Sequence, residues 1–100
     1  MAQLSFEVQE LLNHVKLLKQ KEPANQELIE QYEKLSALLE EAQDKEWNEN
    51  HQGYLDAKSA LDKANAEAKT QLTDLSDLAT TIETIIDTVQ KVATVVSAVV

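Results

Sequence analysis

The stretch that decides the fold is LSDLATTIETIIDTVQKVATVVSAVV, residues 75–100. Its apolar residues recur at steps of three and four, which places them on one side of a helix. The opposite side holds mostly Ser, Thr, Asp, Glu, Gln and Lys. A broad apolar face with a polar back is typical of a helix buried in a bundle. The positions on this face are Leu75, Leu78, Ala79, Ile82, Ile85, Ile86, Val89, Val92, Ala93, Val96, Val99 and Val100.

Helix propensity opposes this prediction. From Thr80 to Val100, 14 of the 21 residues are Thr, Ile or Val, which lose side-chain freedom in a helix. The strict alternation of a strand is absent, so we expect a helix that is stabilised mainly by packing against other helices. The predicted interaction surface is Leu75, Leu78, Ile82, Ile85, Ile86, Val89, Val92, Val96 and Val99.

Upstream of this segment, one heptad frame runs from Tyr54 to Val100 without Pro or Gly. An unbroken frame favours a single long helix over about 54–99, roughly 70 Å in length. The alternative is a break near 73–77, because Thr73, Asp74 and Ser76 are residue types that cap helices. The sequence leaves both possibilities open.

Two shorter helices are predicted ahead of the long one. The first covers about 5–21 and ends before Pro23, because a proline disfavours helix at the preceding residue. Pro23 is then expected to begin a second helix over about 23–48, since a proline is tolerated at the first helical position. The single glycine, Gly53, lies in an Asn-containing stretch and predicts a turn at 48–53.

These elements predict an all-α, antiparallel helical bundle in one domain, residues 1–100. Helices of about 18 and 24 residues cover only half of a 70 Å helix, so we expect self-association to complete the bundle. The alternative is a monomeric four-helix bundle, in which the last helix breaks near 73–77 and its second half folds back.

Composition restricts the possible functions. The 9 basic residues are all lysine, against 18 Asp and Glu; this balance argues against nucleic-acid or anionic-lipid partners. Without cysteine there is no thiolate ligand or nucleophile. His14 and His51 lack the Glu-x-x-His pairing of carboxylate metal sites. We therefore expect no metal, no cofactor and no enzymatic activity.

Four further residues are candidates for a role in helix packing or partner binding: Trp47, Tyr54, Lys58 and Asn65. Lys58 and Asn65 occupy seam positions of the heptad frame, where Lys can reach solvent and Asn can face the bundle edge. A sharper hypothesis is that Asn65 sets the helix register. Trp47 and Tyr54 flank the predicted turn and either cover the end of the bundle or form an aromatic anchor for a partner.

The main functional hypothesis is a non-enzymatic interaction module that binds itself or another helical protein through the apolar face of 75–100. A second hypothesis is a small acidic inhibitor or immunity-type protein that binds a basic partner. It would use the densest acidic run: Glu27, Glu30, Glu33, Glu40, Glu41, Asp44, Glu46 and Glu49. A third is a secreted or membrane-active, toxin-like helical subunit. No signal peptide or transmembrane helix is visible, so a cytoplasmic location without a membrane partner is the default expectation.

Overall fold

The structure is a computed structural model that describes residues 4–43 and 52–98. The described residues form four α-helices and no strand: α1 (Leu4–Lys21), α2 (Gln26–Gln43), α3 (Gln52–Gln71) and α4 (Leu78–Ala98). A short 3₁₀ turn, Leu75–Asp77, precedes α4. The four helices pack together, which confirms the predicted all-α helical bundle.

The predicted single helix over 54–99 is wrong. The chain leaves the helix after Gln71 and re-enters it at Leu78, within the alternative break that the capping residues indicated. The longest dimension of the molecule is 37 Å, which fits one helix of about 20 residues and excludes one of 70 Å. Folding back allows α4 to bury its apolar face within the chain, so closure of the bundle does not require a second copy.

The bundle consists of two antiparallel hairpins, α1–α2 and α3–α4. In the described part of the chain α1 contacts α2 and α3, while α4 contacts α2 and α3; the pairs α1–α4 and α2–α3 are diagonal. Contacts of Glu7 with Lys58 and of His14 with Asn65 show that α1 and α3 run parallel. Helix α4 therefore occupies a corner and packs on α2 and α3.

The turn between α1 and α2 differs in detail from the prediction. Pro23 lies in the turn, whereas α2 begins at Gln26. Asn25 caps the helix, because its side-chain Oδ1 accepts a hydrogen bond from the backbone N–H of Leu28 at 3.2 Å. The expectation that Pro23 begins the second helix is thus wrong, since an asparagine cap two residues later satisfies the first turn.

Part of the predicted second turn falls outside the described residues. Residues 48–51 are not described, but Gln52 and Gly53 already lie in the first turn of α3. No glycine in the described ranges has a positive φ angle. Gly53 is therefore a helical residue and not the left-handed turn residue that the sequence predicted.

The core is built from one apolar stripe of each helix. Buried leucines and valines of α1 and leucines of α2 meet a small-residue face of α3 and the branched side chains of α4. The alanines of α3 let its neighbours approach closely, because they add little side-chain volume. The core residues of α3 are Tyr54, Ala57, Leu61, Ala64 and Ala68.

The turn between α3 and α4 is closed by its own polar groups. Asp74 is extended, with φ −149° and ψ 109°, and its Oδ1 accepts a hydrogen bond from the N–H of Ser76 at 3.0 Å. The Oε1 of Gln71 accepts one from the N–H of Asp77 at 3.1 Å. Thr73 donates its hydroxyl proton to the carbonyl of Thr70 at 2.9 Å. These hydrogen bonds replace the interrupted helical ones.

Candidate functional site

The apolar face predicted to bind a partner is buried inside the chain. Six of its residues belong to the core, and Leu75 and Ile86 are partly buried against it. Val99 lies outside the described residues. Ala79, which the periodicity places on the same face, is exposed. The buried six are Leu78, Ile82, Ile85, Val89, Val92 and Val96.

Part of the back of α4 is buried as well. Val95 is buried, as are Thr81 and Thr88. The hydroxyl of Thr88 lies 2.8 Å from the carbonyl of Thr84 in its own helix and 3.2 Å from that of Ala60 in α3. Threonine is suited to this interface because its hydroxyl proton can be donated to a helix carbonyl while its methyl group packs.

The predicted aromatic anchor is not formed by Tyr54. Its side chain is buried in the core at the start of α3, so it contributes to packing of the bundle end. Trp47 lies outside the described residues. The large exposed apolar side chains of the described ranges are instead Phe6 and Leu17 of α1 and Leu55 of α3.

Asn65 joins the two hairpins. It is buried on α3, and its Nδ2 donates a hydrogen bond to the backbone carbonyl of Glu7 at 3.3 Å. Its Oδ1 lies 2.9 Å from His14 Nδ1, so this histidine nitrogen is the donor. Asn65 thus links α3 to two residues that lie one heptad apart on α1; its role in setting the register stays a prediction.

Lys58 lies one heptad before Asn65 and contacts the same helix. Its Nζ is 3.2 Å from Glu7 Oε1 and 3.3 Å from Asp62 Oδ2. Burial raises the pKa of Glu7 and the negative charge of Asp62 adds to this, while Lys58 acts in the opposite direction. Hydrogen bonds to Glu7 and Asp62 raise the pKa of Lys58. The lysine is thus an ion-pairing residue at the α1–α3 boundary.

The residues of α1 that contact Lys58 and Asn65, namely Glu7 and His14, were not predicted from the sequence. Glu7 and His14 are seven residues apart on α1, as Lys58 and Asn65 are on α3. Two helices with polar residues at the same heptad spacing beside their apolar stripes are candidates for parallel pairing. Aligning Glu7 and His14 with Lys58 and Asn65 by this shared spacing would have identified His14 as the neighbour of Asn65.

The acidic face of α2, defined here as Glu27, Glu30, Glu33, Glu40 and Glu41, is exposed along the whole helix. In the described part of the chain none of these carboxylates forms an ion pair. Lys34 is the only basic residue in α2, and it is also exposed. The remaining members of the predicted acidic run, Asp44, Glu46 and Glu49, lie outside the described residues.

The acidic charge is unevenly distributed between the helices. Helix α2 holds five glutamates and one lysine. Helix α3 holds three acidic and three basic residues, and α1 holds two glutamates and three lysines. Helix α2 therefore carries a net formal charge of −4, the largest share that any one helix contributes to the −9 of the chain. A need for solubility alone does not require this concentration.

The described residues contain no cluster of metal-ligating side chains. Within ranges 4–43 and 52–98 no group of three His, Asp or Glu residues is placed to hold a metal ion. His14 bonds to Asn65, and His51 is not described. An open groove of about 580 Å³ lies between α3 and α4. It is lined mainly by charged and hydroxyl side chains, including Asp56, Lys63, Glu83 and Asp87.

No protein-family model, curated protein or solved structure matches this chain. Among the described residues, no helix combines the length and the apolar character needed to cross a membrane. The candidate binding site is therefore the acidic face of α2, whose carboxylates form no ion pair in the described ranges.

Proposed function

We propose that the protein is a non-enzymatic helical interaction module that binds a basic protein surface through the acidic face of α2. The observation that carries this proposal is the concentration of five exposed glutamates on α2, none of them in an ion pair within the described ranges, while α1, α3 and α4 together have no net formal charge. Such a surface accelerates encounter with a partner of opposite charge and selects against acidic ones.

The rigid scaffold favours this role. The acidic residues project from α2, whose opposite side holds the buried Leu28 and Leu35, so the backbone positions that carry the carboxylates are fixed in spacing before a partner arrives. A preorganised backbone loses less conformational freedom on binding than a flexible segment does. The lysines and arginines of a partner are the complementary groups.

The hypothesis that the face of 75–100 docks directly onto another helix is not supported by the closed bundle. That face packs on α2 and α3, and α4 has no large exposed apolar side chain in its described part. Direct docking would require α4 to leave its own bundle.

The test compares two variants of equal net charge. In the first, Glu27, Glu30, Glu33, Glu40 and Glu41 are changed to Gln. In the matched control, five exposed acids elsewhere are changed to the corresponding amides: Glu10, Asp56, Asp77, Glu83 and Asp87. A lysine- and arginine-rich peptide serves as the probe, and its affinity is measured by calorimetry at low and high salt.

The α2 variant should lose about tenfold or more in affinity, while the control keeps most of it and the wild type shows a strong salt dependence. Capture of basic proteins on the immobilised chain should follow the same order. An equal loss in both variants would mean that only net charge matters and would refute a dedicated binding face.

A further inference from the structure

The turn between α3 and α4 combines two features that are not usually found together. The heptad frame continues through it without insertion, and neither Pro nor Gly occurs between Tyr54 and Ala98. The chain nevertheless turns back there, held by the side chains of Gln71, Thr73 and Asp74. The sequence of this segment is therefore compatible with both a turn and a continuous helix.

Helix α4 is also the element best placed to leave the bundle. In the described residues it packs beside α2 and α3 and lies diagonally across the bundle from α1. The packing of α1 on α2 and on α3, including the Asn65 and Lys58 contacts, does not involve α4. A released α4 remains in need of a partner, because 12 of its 21 residues are Thr, Ile or Val and it is not stable alone.

We propose that a second copy of this chain binds by exchange of α4: residues 72–77 become helical, α3 and α4 form one long helix, and each α4 packs on α2 and α3 of the other copy. Exchange of this kind restores the contacts of α4 with α2 and α3 in trans and gives up only those of the turn. This inference is independent of the acidic face of α2.

The directions of the helices allow the exchange to close. In one chain α4 runs antiparallel to α3, as the contact pairs Thr84–Glu67 and Thr88–Ala60 show. If the break straightens, α4 runs in the direction of its own α3 and extends past the end of its bundle. A two-fold axis perpendicular to the helix inverts the second copy, so the incoming α4 meets an antiparallel α3, as before.

The same operation preserves the packing on α2. Helices α2 and α4 start at the same end of the closed bundle, where Asn25 and Glu27 lie beside Leu78 and Ile82. In the inverted copy α2 again runs parallel to the incoming α4. The interface is isologous and closed, so the exchange stops at a dimer. Near the axis, the partly buried Leu72 and Leu75 of the two copies come together.

The experiment uses the absence of cysteine in the chain. Full-length Ala60→Cys and Thr88→Cys chains are mixed, refolded together at high concentration and oxidised. Since Thr88 contacts Ala60 across α3 and α4, a disulfide between the two chains forms only when α4 is exchanged. Ala66→Cys, at an exposed α3 position, paired with Thr88→Cys is the matched control.

Light scattering, small-angle scattering and hinge variants give independent readouts. The dimer should be roughly twice as long as the 37 Å chain. Changing Thr73, Asp74 and Ser76 together to Ala should tighten dimerisation by about tenfold or more, because the caps of the turn are lost in both copies. Leu75→Pro should abolish the dimer, since proline suits the extended Asp74 but not a continuous helix. Leu75→Ala should retain it.

Exchange is supported by cross-linked Ala60→Cys/Thr88→Cys dimers and by their dependence on the hinge. It is overturned if the wild type and the triple-alanine variant both stay monomeric from micromolar to millimolar concentration after refolding. It is equally overturned if dimers form that are compact, are insensitive to Leu75→Pro or show no cross-link beyond the Ala66→Cys control.

Discussion

The two hairpins of the bundle have the same shape but are specified in different ways. The α1–α2 turn contains the only proline of the chain and an asparagine cap, Pro23 and Asn25. The α3–α4 turn contains neither proline nor glycine and interrupts a continuous heptad frame. The proline therefore prevents a continuous helix at the first turn, whereas the second is held only by polar side chains that a continuous helix would also tolerate.

The helices of the two hairpins also differ in their intrinsic helix propensity. Helix α1 is rich in Leu, Lys, Gln and Glu, which favour helix formation, while α4 is rich in Thr, Ile and Val. The core of α4 nevertheless includes fully buried residues such as Ile85 and Val92. The second hairpin thus contributes apolar area to the core but depends on the first for its own secondary structure. Four changes test this difference, from the largest effect to the smallest.

Removing the second half of the α3–α4 hairpin should unfold the chain. A chain that ends at Asp74 loses the seven core side chains of α4, each contributing about 1.5–3 kcal/mol on burial. Their sum is as large as, or larger than, the stability of about 5–15 kcal/mol that is typical of a small domain. Circular dichroism should show reduced helicity and no cooperative urea transition. A truncated chain that keeps a sharp transition would show that the first three helices form an independent core.

Removing the contacts of Asn65 between the two hairpins should lower the free energy of unfolding by less than the truncation does. Asn65→Ala removes a hydrogen bond to the carbonyl of Glu7 and leaves the Nδ1–H of His14 without its partner, a loss of about 1–3 kcal/mol. Urea unfolding measures this change. Asn65→Leu is the informative second variant: it should recover part of the stability but broaden the amide spectrum, because an apolar residue no longer specifies one register. An equally sharp spectrum would refute the register role of Asn65.

The two turns should respond differently to loss of their caps. Asn25→Ala and Asp74→Ala each remove one side-chain acceptor of a turn, at a cost of about 1 kcal/mol. Thermal unfolding should show similar losses at low concentration. Only Asp74→Ala should gain stability as the concentration rises, because its turn can become helix and Pro23 prevents this in the first hairpin. The same concentration dependence in both variants would contradict the comparison.

The smallest effect concerns the pH dependence contributed by Glu7. Its pKa in the folded chain is raised above the ordinary value of 4.5, first by burial, so the folded state binds the proton more tightly than the unfolded state. Its contribution to stability therefore increases as the pH falls through the folded pKa and is complete below the unfolded value. At neutral pH that contribution is absent.

Comparison with Glu7→Gln isolates this group from the other carboxylates. The stability of the wild type relative to Glu7→Gln should rise by less than about 1 kcal/mol between pH 7 and pH 4.5, since the site is partly exposed. Chemical unfolding at a series of pH values measures the difference. A relative stability that falls with decreasing pH would mean that the ion pair with Lys58 outweighs burial.

Much of the fold was predictable because each helix carries its apolar stripe in the local sequence. The stripes of α1 and α4, the end of α1 at Lys21 and the all-α class follow from spacing and from Pro23. The beginning of α2 was displaced because Asn25, and not Pro23, supplies the cap. The helical state of Gly53 was missed because composition alone does not distinguish a turn glycine from a helical one.

The candidate site was predictable in part. The acidic run of α2 is visible in the sequence, and the structure adds that its five described glutamates are exposed and without ion pairs in the described ranges. The prediction that a partner binds the 75–100 face assumed that the other helices of the chain leave that face uncovered. Periodicity identifies a face that must be buried, but it does not identify which chain or helix covers it.

The sequence by itself determined the helical periodicity, the acidic balance and the need of the last segment for apolar cover, because these depend on the order of side chains along one helix. Only the tertiary structure decided that the chain folds back at 72–77, that α1 lies parallel to α3, and that Asn65 meets His14 and Glu7. The physical reason is that these features depend on free-energy differences between whole packing arrangements, to which residues far apart in the chain contribute.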